Sequence, residues 1–313
     1  MFENVCYVVC CFLSVVGFFA FLEFLYDTFR SPAQIIWNLL FRRSRLTERY
    51  GPWAVITGSS DGIGRQYALN LARAGLNVVL ISRTESKLQQ VAQEIRSECN
   101  VEVRWLAVDF SDGPQVYDRI RMALVGLEIG ILVNNVGFVH EHPVTVDKIP
   151  KQEVLESFSV NMYPTVMLVH MLLPDMKRRG RGIVINVSSA SGHCALPYGT
   201  VYGASKAFLN SFSQGLQEEL QDSGVECQLV IPLLVNTNLS AQWQTRSFTR
   251  SASVEVEAFG RTVTWLIGKT DFTTGCRFHA LQATILKLFP RWFISKGLGK
   301  YLKGVKIEAN KGK

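Results

Sequence analysis

The sequence predicts an α/β fold: a doubly wound parallel sheet with helices on both faces, preceded by a membrane anchor. Three observations predict it. Short runs of β-branched and apolar residues alternate with helical stretches along most of the chain. The first of these runs leads into a glycine-rich loop that opens a helix. Val5 to Leu22 is an uncharged apolar stretch of membrane-spanning length.

The 313 residues suffice for one large domain with appendages, and a hydrophobic content of 48% points towards a membrane. The charge is uneven. Lys287 to Lys313 holds eight lysines and arginines against Glu308, which accounts for the whole formal +7. A basic tail beside a near-neutral core suits an anionic membrane surface and argues against a nucleic-acid partner. Cys6, Cys10 and Cys11 lie in the apolar leader, and Cys99, Cys194, Cys227 and Cys276 are scattered without metal or redox spacing. A reduced, cytosol-facing domain without a metal site is expected.

Four segments follow: an anchor over 1–27, a basic linker over 28–50, one large α/β domain over 51–280, and an apolar then basic tail over 281–313. The leader lacks the positive start and small-residue cleavage site of a signal peptide. Arg30, Arg42, Arg43 and Arg45 follow it, which orients the domain to the cytosol. Ile35 to Phe41 reads either as an interfacial helix or as a second membrane segment.

Trp53–Thr57 is a buried-strand pattern, followed by Gly58-Ser-Ser-Asp-Gly62-Ile-Gly64 and a helix over Arg65–Ala74. Glycines there permit a tight turn and let backbone approach a pyrophosphate at the helix start. Val78–Ser82 is the second strand. Arg83 follows it, where an acidic residue would repel a 2′-phosphate and an arginine can bind one. Leu106 to Phe110 closes a third strand and Gly130 to Gly137 spans a fourth with its exit. Ile183–Val187 is the next, and Cys227–Ile231 the sixth. The helix around Val154–Met171 contains Pro164, which predicts a kink. Val201–Gln221 is a helix with Phe208, Phe212 and Leu216 at core spacing. Asn238 to Ser253, with Trp243 and Phe248, is polar and aperiodic. Val254–Ile267 is helical, and Cys276–Ala280 reads as a last strand. Leu281 to Phe293 is apolar and broken by Pro290. Lys296, Lys300 and Lys303 then share one helical face, an arrangement that suits a second membrane contact. The terminal Asn-Lys-Gly-Lys is a poor match to a dilysine retrieval signal.

One stretch carries chemistry. Tyr202 and Lys206 are one helical turn apart, and Ser189 leaves a strand at the rim of the sheet. An ammonium beside a phenol favours the phenolate, so Lys206 is expected to lower the pKa of Tyr202.

With the glycine loop, Asn134-Asn135, Asn161, and Pro232 followed by Thr237, this stretch resembles the short-chain dehydrogenase/reductase family over roughly Trp53 to Phe278. The membrane leader, the Leu-Ile-Ser-Arg83 turn and Gly126–Gly137 look most like its membrane-bound subgroup of 17-beta-hydroxysteroid dehydrogenases and very-long-chain 3-oxoacyl-CoA reductases. The resemblance implies a Rossmann-type fold and an NADPH-dependent reduction of a lipid keto group. It implies that Tyr202, Lys206, Ser189 and Asn161 are catalytic: Tyr202 as proton donor, Asn161 as holder of a relay water. Gly58, Ser60, Gly62, Ile63, Gly64, Arg83, Asp109, Asn135, Val235 and Thr237 would bind the cofactor together with Tyr202 and Lys206. NADPH would be preferred over NADH. A lipid substrate, an endoplasmic-reticulum membrane location and a possible homodimer are implied in the same way. The rival readings are another lipid carbonyl or alcohol, such as a retinoid, and a silent NADPH-binding scaffold.

Overall fold

A computed structural model of the chain describes residues 2–41, 45–241, 243 and 252–311. Arg42, Arg43, Phe248 and most of the polar 238–253 segment lie outside the described residues, as do the final Gly312 and Lys313. The chain forms two compact units, Met1–Arg43 and Ser44–Lys313.

The first unit is one helix, α1 (Phe2–Phe41), which runs on through Pro32 and the Ile35–Phe41 segment. Cys10–Leu40 is apolar and long enough to cross a membrane; its 31 residues span about 46 Å at the helical rise.

The second unit opens with α2 (Leu46–Tyr50) and β1 (Trp53–Thr57), every residue of which is buried. Then come α3 (Gly62–Arg73), β2 (Asn77–Ser82), α4 (Glu85–Glu98), β3 (Val103–Ala107), α5 (Gln115–Leu124) and β4 (Ile129–Asn134). They are followed by α6 (Lys151–Asn161), α7 (Tyr163–Arg179), β5 (Gly182–Val187), α8 (Thr200–Glu219) and β6 (Val225–Val230). A small pair, β7 (Val235–Asn236) and β8 (Val254–Glu255), brackets the short α9 (Asn238–Ala241). The chain ends with α10 (Val256–Trp265), β9 (Phe272–Thr273), α11 (Arg277–Lys287) and α12 (Arg291–Lys311).

Seven parallel strands form one sheet in the order β3-β2-β1-β4-β5-β6-β9. The period-2 alternation of a strand divides its apolar side chains between two cores. Ala54, Ile56, Val78 and Leu80 pack with Tyr67 and Leu71 of α3 and Phe259 of α10. Val55, Val79, Leu132 and Val184 pack on the opposite side with Ile120 of α5 and Leu168 and Met176 of α7. The strand order reverses between β1 and β4, which opens a crevice at the carboxyl ends of these strands.

The expected kink is a one-residue interruption. α6 stops at Asn161, Met162 stays in the right-handed region with stretched torsions (φ −118°, ψ −55°) and still donates its N–H to the Phe158 carbonyl at 3.1 Å, and Pro164 falls in the first turn of α7, where its missing N–H costs little. Three sequence expectations need correction. Cys276–Ala280 is not a strand: Cys276 caps α11 by accepting from the His279 N–H, and the last strand is the two-residue β9 before it. Asp109 lies beyond β3, which ends at Ala107, and its side chain caps a 3-10 turn. Phe208 and Phe212 are half-buried and stack on each other at 5.9 Å, so of the three expected core residues of α8 only Leu216 is fully inside.

Candidate functional site

The carboxyl end of β5 delivers Ser189, whose hydroxyl accepts the Ser191 N–H at 3.2 Å and so starts the short turn Ala190–Gly192. α8 brings Tyr202 and Lys206 to the same place. Ser188 fixes this helix against the strand by donating to the Lys206 carbonyl at 2.9 Å. The Lys206 ammonium lies 5.7 Å from the Tyr202 ring centroid and donates to the Val187 carbonyl at 3.3 Å. An ammonium has three donors, so others remain for a ligand.

The electrostatics differ from the sequence expectation. Desolvation holds the Tyr202 phenol above its usual range, and a hydrogen bond with Ser189 offsets only part of that. Burial also pushes Lys206 down to about 8. In this resting site Lys206 therefore does not bring the phenol below its ordinary value. The cost of burying a charge dominates for both groups. At neutral pH the phenol is protonated, the form a proton donor requires.

Asn161 ends α6, buried beside this group. Its Oδ1 accepts the Phe138 N–H at 2.6 Å, while its Nδ2 donates to the Phe138 carbonyl at 2.9 Å and to Ser205 Oγ at 3.1 Å. Gly137 lies between Asn161 and Lys206: a methyl on its Cα would meet Asn161 Oδ1 and Lys206 Nζ, each at 3.6 Å. The amide of Asn161 thus clasps the strand exit that forms one wall of the crevice.

The glycine loop lies at the other end of the crevice. Gly58 has φ +64°, a left-handed conformation that favours glycine. Gly64 is required by proximity, because a Cβ there would fall 2.2 Å from the Gly58 carbonyl oxygen. Asn135 donates to the Thr57 and Gly58 carbonyls at 3.1 and 3.3 Å, holding the loop to the exit of β4. Ser60 and Ser82 hydroxyls are 2.8 Å apart, and Ile63 packs on the core. Across the crevice, a methyl on Gly62 would touch Thr237 at 3.3 Å, while Val235 is buried in β7.

Arg83 is exposed just past β2, 3.7 Å from Asp109 and 3.9 Å from Glu156. Burial raises the Asp109 carboxyl, but two hydrogen bonds from Ser111 and the nearby Arg83 outweigh it and leave it below its usual value. Burial raises Glu156, with Arg83 pulling against it. The structure thus gathers Ser189, Tyr202, Lys206 and Asn161 at one end of the crevice and the glycine loop, Arg83 and Asp109 at the other.

Other contacts were not anticipated from sequence. Asp61 caps α3 through the Gly62 N–H at 2.7 Å and accepts from Asn238 Nδ2 at 2.5 Å, linking the glycine loop to α9. The first half was readable, since an aspartate just before a helix is an N-cap signal. Buried His279 lies 3.1 Å through Nε2 from the Leu234 carbonyl, and its Nδ1 accepts the Leu233 N–H at 3.4 Å. Trp243 donates its indole N–H to the His140 carbonyl at 2.9 Å. Two surface cavities of about 390 and 270 Å³ lie elsewhere, one beside α2, α3 and α10 and one on the outer face of α8.

Residues 52–247 match the sequence model of the short chain dehydrogenases. The chain belongs to that family. It is 40% identical over 268 residues to the very-long-chain 3-oxoacyl-CoA reductase of Mus musculus, covering 84% of each chain. It is 37% identical over 253 residues to the inactive hydroxysteroid dehydrogenase-like protein 1 of Pongo abelii, covering 80% of this chain and 76% of that one. A solved short-chain dehydrogenase from Sphingobium yanoikuyae in complex with NADPH aligns with a TM-score of 0.65 and 28% identity, over 76% of this chain and 94% of that one. This short-chain dehydrogenase is an oxidoreductase acting on CH–OH and C=O groups with a nicotinamide dinucleotide.

The crevice fits such a cofactor. Gly58 and Gly64 let the loop fold closely against Asn135 and its own backbone, where a Cβ would clash, and the α3 N-terminus that the loop leads into favours a phosphate.

Proposed function

We propose that the chain reduces the 3-keto group of a long-chain acyl-CoA with NADPH. The observation that carries this is the meeting of Ser189, Tyr202 and Lys206 at the crevice of a chain 40% identical to a very-long-chain 3-oxoacyl-CoA reductase.

The glycine loop from Gly58 to Gly64 would hold the pyrophosphate, Arg83 the 2′-phosphate, Asp109 the adenine side, and Lys206 the nicotinamide ribose. Val235 and Thr237 would close over the nicotinamide end. A cofactor held by these residues would supply the hydride that the carbonyl carbon takes up. Tyr202 gives its phenolic proton to the carbonyl oxygen. The Ser189 hydroxyl orients that phenol and helps polarise the carbonyl. The positive charge of Lys206 stabilises the phenolate left behind. Asn161 fixes the Gly137–Phe138 wall, and the proton that restores Tyr202 enters through a relay on the Lys206 side. α1 anchors the protein in the endoplasmic-reticulum membrane with the catalytic domain in the cytosol.

A second reading has a specific observation behind it. One relative, at 37% identity, is named an inactive hydroxysteroid dehydrogenase-like protein, so a scaffold that binds NADPH without turnover is the competing account. The test is NADPH oxidation by membrane-embedded protein with a long-chain 3-oxoacyl-CoA and, in parallel, a 17-ketosteroid. Turnover of the acyl-CoA supports the proposal, and turnover of the steroid alone overturns its substrate. Tight NADPH binding with no turnover of either favours the scaffold.

A further inference from the structure

The C-terminal pair α11 and α12 carries a surface that catalysis does not explain. Leu281, Ile285 and Leu288 follow one another at helical spacing on the solvent side, and Phe289, Trp292 and Phe293 continue the row past Pro290. Leu288 and Trp292 are each 67% exposed. Phe289 stacks on Phe293 at 5.7 Å and Trp292 meets Phe293 edge-on at 5.9 Å, so the aromatic rings form a cluster facing outward. An apolar patch of this kind, bordered by charge, marks an interaction surface.

Its charge is of one sign. From Arg277 to Val305 there is no acidic residue, while Lys296, Lys300 and Lys303 are exposed along one side of α12. A folded protein partner would need an apolar patch with an acidic border to match this. An anionic bilayer supplies both, acyl chains for the rings and headgroups for the lysines. Tryptophan suits that boundary because it joins an apolar body to a polar N–H. The same chain also carries α1, a helix apolar and long enough to span a membrane.

We propose that α11 and the first turns of α12 form a bilayer-docking surface: Leu281 to Phe293 enters the acyl boundary, and Lys296, Lys300 and Lys303 lie against anionic headgroups. The surface is tied to the active site. Leu302 and Val305 are buried and hold α12 on the domain. Gly299 passes so close to Pro197 that a methyl on it would lie 3.2 Å from the proline ring. The Tyr301 hydroxyl donates to the Trp243 carbonyl at 3.1 Å. The chain between Ser189 and Tyr202 is therefore held beside the docking helix, and a docked protein keeps this wall of the crevice at the membrane.

The test uses the full chain in nanodiscs of phosphatidylcholine and phosphatidylserine, with and without bromine on the acyl chains. Brominated lipid quenches indoles that reach it. Wild type should lose fluorescence in the brominated discs, and Trp292→Phe, an apolar exchange at an exposed site, should remove a distinct part of that loss, leaving the share of Trp37 in α1. The triple variant Lys296→Glu/Lys300→Glu/Lys303→Glu should reduce the Trp292 share when phosphatidylserine is present. A Trp292→Phe protein quenched as strongly as wild type overturns the proposal. So does a Trp292 shielded from lipid while Phe293→Cys copies cross-link within discs holding two chains, which would assign the surface to a second copy. None of these readouts needs turnover, so their failure and that of the proposed reduction are separable.

Discussion

Arg83 and Asp109 face each other at 3.7 Å, beyond hydrogen-bond length, with the guanidinium 69% exposed. A screened pair of this kind contributes less than about 1 kcal/mol to stability. The structure has little need of Arg83, which leaves its fork of donors for a ligand. Arg83→Ala is expected to weaken NADPH binding by about 10- to 100-fold, the loss of charge-assisted hydrogen bonds to one phosphate. NADH binding should hardly change. Titrating both nucleotides into wild type and variant by calorimetry checks this, and an equal loss for both would remove Arg83 from the 2′-phosphate site.

Lys206 sets a pH dependence. Burial pushes its ammonium down to about 8 in the folded protein from 10.5 for a free lysine, so it loses its proton and charge above that pH, and that charge stabilises the phenolate that Tyr202 becomes. The kcat/KM for reduction should fall on the basic side with an apparent pKa near 8. Lys206→Arg keeps its charge at all accessible pH, so whatever activity it retains should lack that limb. A limb identical in the two proteins would assign it to another group. The stability effect has the opposite sense. Between about 8 and 10.5 the unfolded chain binds the extra proton, so the cost of burying this charge is fully present below 8 and is relieved as pH rises through that window.

Gly64 and Gly215 make a paired test of the close packing of the glycine loop. A methyl at Gly64 would lie 2.2 Å from the Gly58 carbonyl and 2.4 Å from Asn135 Nδ2. Gly64→Ala should destabilise the protein by about 1–3 kcal/mol and weaken nucleotide binding. Gly215, inside α8, has nothing within 4 Å of that position. Gly215→Ala should stabilise by up to about 1 kcal/mol and leave binding intact. Thermal melts with and without NADPH read both, and a harmless Gly64→Ala would refute the close approach.

What the sequence revealed depended on how local the signal was. Ser189, Tyr202 and Lys206 were legible because a strand end and a helical turn place them by spacing alone. The sheet was legible because strands buried on both faces, such as Trp53–Thr57, read as unbroken apolar runs. β9 is silent in the sequence because two residues carry no periodicity, while the apolar pattern of Cys276–Ala280 resembles a strand and forms the start of α11. The bond between Asp61 and Asn238 joins residues 177 apart, and the tethering of Leu233 and Leu234 by His279 depends on tertiary packing. No local pattern announces either. The sense of the Tyr202 shift is hidden for a related reason: spacing shows that a lysine is near but not how deeply both groups are desolvated.

If Tyr202 is the proton donor of a carbonyl reductase, Tyr202→Phe must stop turnover without disturbing the cofactor site. The change removes one oxygen from a ring already packed in place, so the crevice should keep its shape. Full-length wild type and variant in the same membranes would be titrated with NADPH and then assayed for NADPH oxidation with a long-chain 3-oxoacyl-CoA. The expected result is near-equal NADPH affinity and a loss of turnover of about 10²- to 10⁴-fold, the range of a lost general acid. Unchanged turnover in the phenylalanine variant would contradict it.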